Sequence, residues 1–435
     1  MKIKTMITSI VAGAGILAMV GSASAACFQT GVAGTPTVPT KDLNIYGASA
    51  QFTFWKSEFK NYLQAAGCVA KGNAANATDW ANASATSSDS AHFVVQADCS
   101  GVGGPATVNF RVSSKASYDG PPAVANKQTI YTTNNCGTGV NLKQREMLHG
   151  GVGTCAWGST ACTPPTQANG DCEAVNWGAS DVAVGDFKQV SDLRNFTVNP
   201  VILTGAGTVA VTDFCSPNAI SFGFFLNKNV ISQSTGTYLN FISPIEIKMI
   251  YSGKLTNWNQ LVSNPSNTLA IVACARDAGS GTAATMDFMM MKPTQIFQAG
   301  SATQIFNDGT GPMMNCVNNN AGAIGYADAD RPNLANTYGP IALGDATFSV
   351  APTTANVKTL AYDFVTPQHA YVANTDRATN MFLDLCTYAG WPAKLAVVNA
   401  NWAATCEMTF LPANKLTLAT WAPSTVLGTG GCTCP

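Results

Sequence analysis

The chain has 435 residues, of which 11% are charged, and 23 Lys and Arg stand against 24 Asp and Glu for a net charge of −1. That balance leaves no basic field to draw in nucleic acid or anionic lipid, so an anion binder of this composition must work through local dipoles and one or two arginines. The length gives room for about two to three domain-sized units with a large core.

Residues 1–25 read as an export signal, with Lys2 and Lys4 at the charged end, an uncharged apolar stretch over 6–20 and the small-residue cleavage pattern Ala23-Ser24-Ala25. The mature chain is expected to start at Ala26 and to be periplasmic or secreted. Cys27 raises lipidation as an alternative, but the leucine usual before a lipidated cysteine is missing. No later segment is long and apolar enough to span a bilayer. All 14 cysteines follow the cleavage point, and an even number in an exported chain reads as disulfides. There is no Cys-x-x-Cys or clustered zinc pattern, and His92, His149 and His369 lie far apart. No metal and no cofactor are expected, and the histidines read as surface or hydrogen-bonded residues.

The mature chain opens with a Gly/Thr/Pro-rich arm over 30–40, outside any core element. Leu43-Asn44-Ile45-Tyr46 reads as a strand, 47–52 as a small-residue turn and 53–66 as a helix with Phe54, Phe59, Tyr62 and Leu63 near helical spacing. A second strand is expected over 107–112, followed by Ser113-Ser114-Lys115-Ala116-Ser117. Residues 118–176 carry Cys136, Cys155, Cys162 and Cys172 with little periodicity and read as a disulfide-stapled excursion. The segment 175–182 is a glycine-containing loop that places Asp181 beside a strand end. The run 220–226 is apolar and strand-like. Ser243-Pro244-Ile245-Glu246 is a capping box opening a helix through Ile250, and Trp258 reads as a packing residue. Residues 269–273 form a short apolar run that predicts a buried strand, and 283–290 an Ala/Met-rich helix whose Met286, Met289 and Met290, with Met291, fill the core. The tail 409–435 is an extension.

Between that strand and that helix lies Arg276-Asp277-Ala278-Gly279-Ser280-Gly281-Thr282. At such a turn the first helical N–H groups have no intrahelical partner, the positive end of the helix dipole faces outward and the hydroxyls add donors. The stretch is an anion cradle, and Arg276 offers a planar fork for two oxygens of a tetrahedral oxyanion. Several strand-to-helix turns of this kind could converge on one ligand, as happens where strands end in open α/β sheets.

Five stretches, in order along the chain, carry a resemblance: Gly47-Ala48-Ser49-Ala50-Gln51-Phe52, Trp177-Gly178-Ala179-Ser180-Asp181, Ile250-Tyr251-Ser252-Gly253-Lys254-Leu255-Thr256-Asn257-Trp258, residues 276–282, and Gly322-Ala323-Ile324-Gly325-Tyr326. With them the chain resembles the substrate-binding protein of ABC-type phosphate transporters, within the two-lobed periplasmic-binding-protein superfamily. The resemblance implies an α/β fold of type II, with a ligand cleft between two lobes and, here, a disulfide-rich insertion at about 121–175. Lobe I would be 26–200 plus 342–435 and lobe II 201–341. It further implies that inorganic phosphate is held by Gln51, Phe52 through its backbone N–H, Ser114, Asp181, Arg276, Ser280, Gly281 and Thr282. Gln51 departs from the threonine usual at its position, and Ser114 is the member of its serine-rich turn taken as the contact.

The chemistry of these positions agrees with the resemblance. Arg276 and the turn donors satisfy oxyanion oxygens, while Asp181 is an anion that needs a proton from its ligand; phosphate carries one at neutral pH and sulfate does not. The implied partners are inorganic phosphate and a transporter permease, the implied state is a monomer, and no enzyme activity is implied. Two other readings compete. One reuses the fold as an extracellular adhesion, matrix or phosphate-sensing component. The other is a hydrolase using Ser280, against which stand the missing nucleophile elbow and the absence of a histidine linked to it in sequence.

Overall fold

The computed structural model describes residues 29–30, 34–71, 81–86, 91–127, 136, 142–148, 171–187, 190–191, 197–198, 203–205, 207–232, 239–261, 266–291, 303–391, 394–395 and 402–408. The expected signal over 1–25, Cys27, His149, Cys155, Cys162 and the tail 409–435 lie outside the described residues. No described helix is long and apolar enough to cross a membrane.

Two large sheets organise the chain, of eight and nine strands. In the first, Leu43–Gly47 is central and buried at every position, with Val108–Ser114 and Trp177–Ser180 parallel on either side. A parallel strand covered on both faces buries every side chain, and its polar member, Asn44, donates to Ala174 O (3.0 Å) and accepts from Arg111 Nη1 (3.1 Å). Helix Ser49–Ala65 starts at Ser49 rather than Thr53, because Gly47 turns the chain at φ +131 and Ala48 N–H reaches Ala179 O (3.0 Å). A side chain at Gly47 would overlap that same carbonyl. The helix lays Trp55, Phe59 and Tyr62 against Phe110, Trp177 and Tyr388. Aromatics of this size bury about 150–250 Å² each and dominate a core's energetics. Glu58, buried among them, accepts from Tyr388 Oη (2.7 Å) and Asn61 Nδ2 (3.0 Å).

In the second sheet the order is Phe241–Ile242, Thr337–Gly344, Asn218–Asn227, Ala323–Asp328, Val272–Arg276, Gln304–Asn307. The predicted strand at 269–273 is displaced to Val272–Arg276, because Ala270 is occupied by a bridge to Asn257 and Ile271 N–H by Thr256 O. The capping box at Ser243 and Glu246 opens helix Pro244–Tyr251 as expected. Trp258 is a packing residue, fully buried, its Nε1–H donating to Gly322 O (2.9 Å). Met286, Met290 and Met291 are buried in the core.

A two-stranded antiparallel ribbon joins the sheets. Val211–Cys215 pairs with His369–Ala373 inside the first sheet, and Asn218–Asn227 pairs with Val365–Pro367 inside the second. Sheet membership therefore changes at 216–217 and at 368, and 337–344 stays whole in the second sheet. Disulfide Cys215–Cys386 ties the ribbon to helix Asn380–Ala389, and Cys274–Cys316 ties the Arg276 strand to helix Thr310–Asn319. Cys68–Cys99 and Cys136–Cys172 also form among the described residues. The excursion is anchored by the hairpin of Gln144–Met147 and Asp171–Ala174, whose Arg145 forms a buried ion pair with Asp119 (3.1 Å).

The glycines of Gly322-Ala323-Ile324-Gly325-Tyr326 have packing reasons. A Cβ at 322 would overlap the Ala270 carbonyl, and one at 325 would come within 2.8 Å of Met313 Sδ. Gly322→Ala is expected to destabilise the protein by about 1–3 kcal/mol through overpacking against backbone, read as a lower urea midpoint with an unchanged slope.

Candidate functional site

The parallel strands Leu43–Gly47, Val108–Ser114 and Trp177–Ser180 end at one edge of the first sheet, and Val272–Arg276, Gln304–Asn307 and Ala323–Asp328 at one edge of the second. Their C-terminal ends meet. A Cβ on Gly281 would overlap Ser117 Oγ and lie 2.6 Å from Asp181 Cβ, and Tyr118 N–H donates to Gly279 O (3.2 Å). Beside this contact Val182 and Phe187 pack with Ala278, flanked by Tyr118 and Ala284, so an apolar seam backs the polar meeting point.

From the second sheet comes Arg276, the last residue of its strand and 3% exposed. Its backbone N–H donates to Tyr326 Oη (3.1 Å), and Tyr251 Oη, on the ring packed against Tyr326, donates to Cys274 O (3.1 Å), so two buried tyrosines hold the strand end in place. Nη1 donates to Thr310 Oγ1 (3.0 Å), while buried Nε has no hydrogen-bond partner among the described residues. A guanidinium buried this far without a carboxylate on its fork is costly unless an anion completes it. Ser280 caps helix Gly281–Met286 by accepting from Ala283 N–H (3.3 Å), which leaves its hydroxyl proton to donate. Gly281 and Thr282 follow as the first two helical residues, both buried, where backbone N–H groups precede the first intrahelical bond.

From the first sheet comes Asp181, buried, one residue past Trp177–Ser180. Ser117 Oγ donates to Oδ2 (3.0 Å), Gln368 Nε2 to Oδ1 (3.0 Å) and Thr366 Oγ1 to its carbonyl (2.6 Å). Burial, followed by the nearby Asp328, pushes its pKa up to about 6, against the opposing pull of the Gln368 and Ser117 hydrogen bonds and of Arg276.

Of the residues expected at the site, Asp181, Arg276, Ser280, Gly281 and Thr282 come together, but three others stand differently. Gln51 has its amide committed to the core: Nε2 donates to His369 O (2.9 Å) and Oε1 accepts from Trp177 Nε1 (2.9 Å), so its side chain points away. Phe52 N–H is the first intrahelical donor, to Ala48 O (3.4 Å), so the N–H groups of Ser49, Ala50 and Gln51 are the ones ahead of the helical ladder. Ser114 ends its strand, in register with Ala91 and Gly47; it is Ser117, three residues on in the same turn, that touches Asp181. Ser117 could have been found by counting past the strand end. Gln368, Thr366, Thr310 and Asp328 carried no local signal, since only the topology brings them near. The described histidines are structural: His92 is bonded to Ser113 Oγ and held by burial, with Lys115 nearby, at a pKa of about 4, and His369 is bonded to Asp213. Among the described residues no cluster of His, Cys, Asp and Glu could hold a metal ion.

Asp181 gives a sign for stability against pH. Its native pKa, about 6, lies above the usual carboxylate value, so the native state keeps the proton that the unfolded chain releases first. Its favourable contribution is complete below about pH 4 and is lost as pH rises through 6. Asp181→Asn should therefore gain on wild type across pH 4 to 7, by up to roughly 3 kcal/mol, since each tenfold change in proton affinity is worth about 1.4 kcal/mol. Urea unfolding at each pH measures the difference, and parallel curves would contradict the assignment.

Residues 221–389 match the family description "PBP superfamily domain". No curated protein matches the sequence significantly. Among solved structures, the fold is similar to a putative phosphate ABC transporter substrate-binding protein with bound phosphate from Clostridium perfringens, at 20% identity and TM-score 0.33, covering 44% of this chain and 70% of that one. It is also similar to an ABC-type phosphate transport receptor from Vibrio cholerae, at 16% identity and TM-score 0.33, covering 45% and 73%. A third similarity is to PstS from Borrelia burgdorferi, at 12% identity and TM-score 0.37, covering 84% and 98%. Residues 221–389 thus match a PBP superfamily domain, and the chain has an α/β fold built on two large sheets.

Proposed function

We propose that this protein captures inorganic phosphate between its two lobes and that, as an exported binding protein, it delivers the ion to the permease of an ABC-type importer. The observation that carries the reading is the meeting of a buried, half-satisfied arginine and a Ser-Gly-Thr turn from one sheet with a buried carboxylate from the other. The arginine and turn supply donors for three or more oxygens of a tetrahedral anion. The carboxylate supplies an acceptor, which only an oxyanion that still carries a proton can use. Arsenate shares those protons and should bind; sulfate should be rejected. The contacts proposed are Arg276, Ser280, Gly281, Thr282, Asp181 and Ser117, with the first-turn N–H groups of Ser49–Ala65.

The closeness of Gly281 to Asp181 supports a ligand held by closure of the two lobes about the ribbon at 211–221 and 365–373. Lobe I is then built on the first sheet and lobe II on the second.

Calorimetric titration of ligand-stripped mature protein is the direct test. Phosphate and arsenate should bind and sulfate should not, and Arg276→Ala should weaken phosphate by about 30-fold or more, the usual loss when one partner of a buried charge pair is removed. Gly281→Ala should bind weakly for a different reason, because its new methyl meets Ser117 and Asp181; small-angle scattering should show phosphate compacting the wild type and leaving this variant open. Absence of heat with every oxyanion would overturn the reading.

A further inference from the structure

Strand Trp177–Ser180 pairs antiparallel with His369–Ala373, with Ser180 opposite His369. Continuing that register by one residue sets Asp181 opposite Gln368, the single residue between Val365–Pro367 in the second sheet and His369–Ala373 in the first. Gln368 N–H also bonds to Asn218 O (2.8 Å) across the ribbon, so its backbone is fixed by the crossover itself. Its side chain is fully buried, with Nε2 on Asp181 Oδ1 (3.0 Å) and with Oε1 lacking a hydrogen-bond partner among the described residues. Only the Asp181 end of the amide is satisfied, so the carboxylate is what orients it. The reverse orientation would set a carbonyl oxygen against a carboxylate oxygen.

We propose that Gln368, carried on the strand that crosses between the sheets, is a positioning residue that holds Asp181 as a hydrogen-bond acceptor and thereby sets the discrimination between protonated and fully ionised tetrahedral oxyanions. The inference rests on the phosphate reading above. A carboxylate offers about four lone-pair positions. Ser117 and Gln368 each take one, fixing the plane of the group and leaving positions for a proton brought by the ligand. Both donors favour the ionised carboxylate, as does Arg276 at the end of its strand, while burial and Asp328 at the end of Ala323–Asp328 oppose it. On the ribbon side, beyond Gln368, the next titratable groups are His369 and Asp213, which bond to each other. Without the amide donor the balance tips toward a protonated Asp181. A protonated carboxyl is a donor, and a sulfate oxygen can accept from it.

The test is competition of phosphate and sulfate for the full mature protein between pH 5 and 8, using wild type, Gln368→Leu, Asp181→Asn and the double variant. Gln368→Leu should lower the phosphate-to-sulfate preference at pH 7 by about tenfold or more, the worth of a hydrogen bond to a charged group. The pH below which sulfate begins to compete should rise by about one pH unit. In the Asp181→Asn background the same substitution should change the ratio less than about twofold, because the effect runs through the carboxylate. If Gln368→Leu fails to fold, Gln368→Met, of similar length and without a donor, carries the same expectation. An unchanged ratio and pH profile in a variant that still binds phosphate would overturn this inference alone. Failure of the wild type to bind phosphate would overturn it together with the reading beneath it.

Discussion

The structure depends on two buried charges that do not satisfy one another. Arg276 and Asp181 stand on different sheets, both buried where the sheets meet, and each held by neutral donors and acceptors rather than by an opposing charge at salt-bridge distance. Burying an unpaired charge is among the most costly things a fold can do. Here the cost is distributed. Tyr326 and Thr310 fix the arginine, Ser117 and Gln368 fix the carboxylate, and disulfide Cys274–Cys316 braces the strand that delivers the guanidinium. On the phosphate reading, such a site favours an ion that meets donors on one side and offers a proton to the acceptor on the other.

The elements were legible where the sequence states its own physics. Leu43–Gly47, Asn218–Asn227 and helix Pro244–Tyr251 announce themselves by mainly apolar character or by a capping box, and the structure has them within a few residues of expectation. The turn between strand Val272–Arg276 and helix Gly281–Met286 was legible for the same reason, since turn chemistry is local. The adjoining strand was displaced because nothing local to 269–271 reveals that Asn257 and Thr256 claim its backbone first. Register was the general difficulty. Ser114 and Ser117 are indistinguishable as residue types, and only the end of the strand decides which one faces the other lobe. Gln51 looked like a ligand donor because it stands in the right turn, yet its amide serves Trp177 and His369.

The described part of the excursion is held by the ion pairs Arg145–Asp119 (3.1 Å) and Glu173–Arg111 (3.1 Å) and by Cys136–Cys172. Asp119 precedes helix Gly120–Val124, and Gly120 packs so closely on Tyr46 and Ala179 that a side chain there would meet their backbone. The excursion therefore bears on the same strand ends that carry Asp181, although it contributes no side chain to the carboxylate among the described residues.

On the phosphate reading, closure and selectivity meet in the ribbon, which changes sheets at 216–217 on one strand and at Gln368 on the other. Thr366 and Gln368 both bond to Asp181, one to its carbonyl and one to its carboxylate, so a change in the ribbon's path changes how the acceptor is presented. On that reading, a ligand that hands Asp181 a hydrogen bond acts on the ribbon through the same two contacts, and a differential contact with the acceptor would let one oxyanion favour the closed state over another.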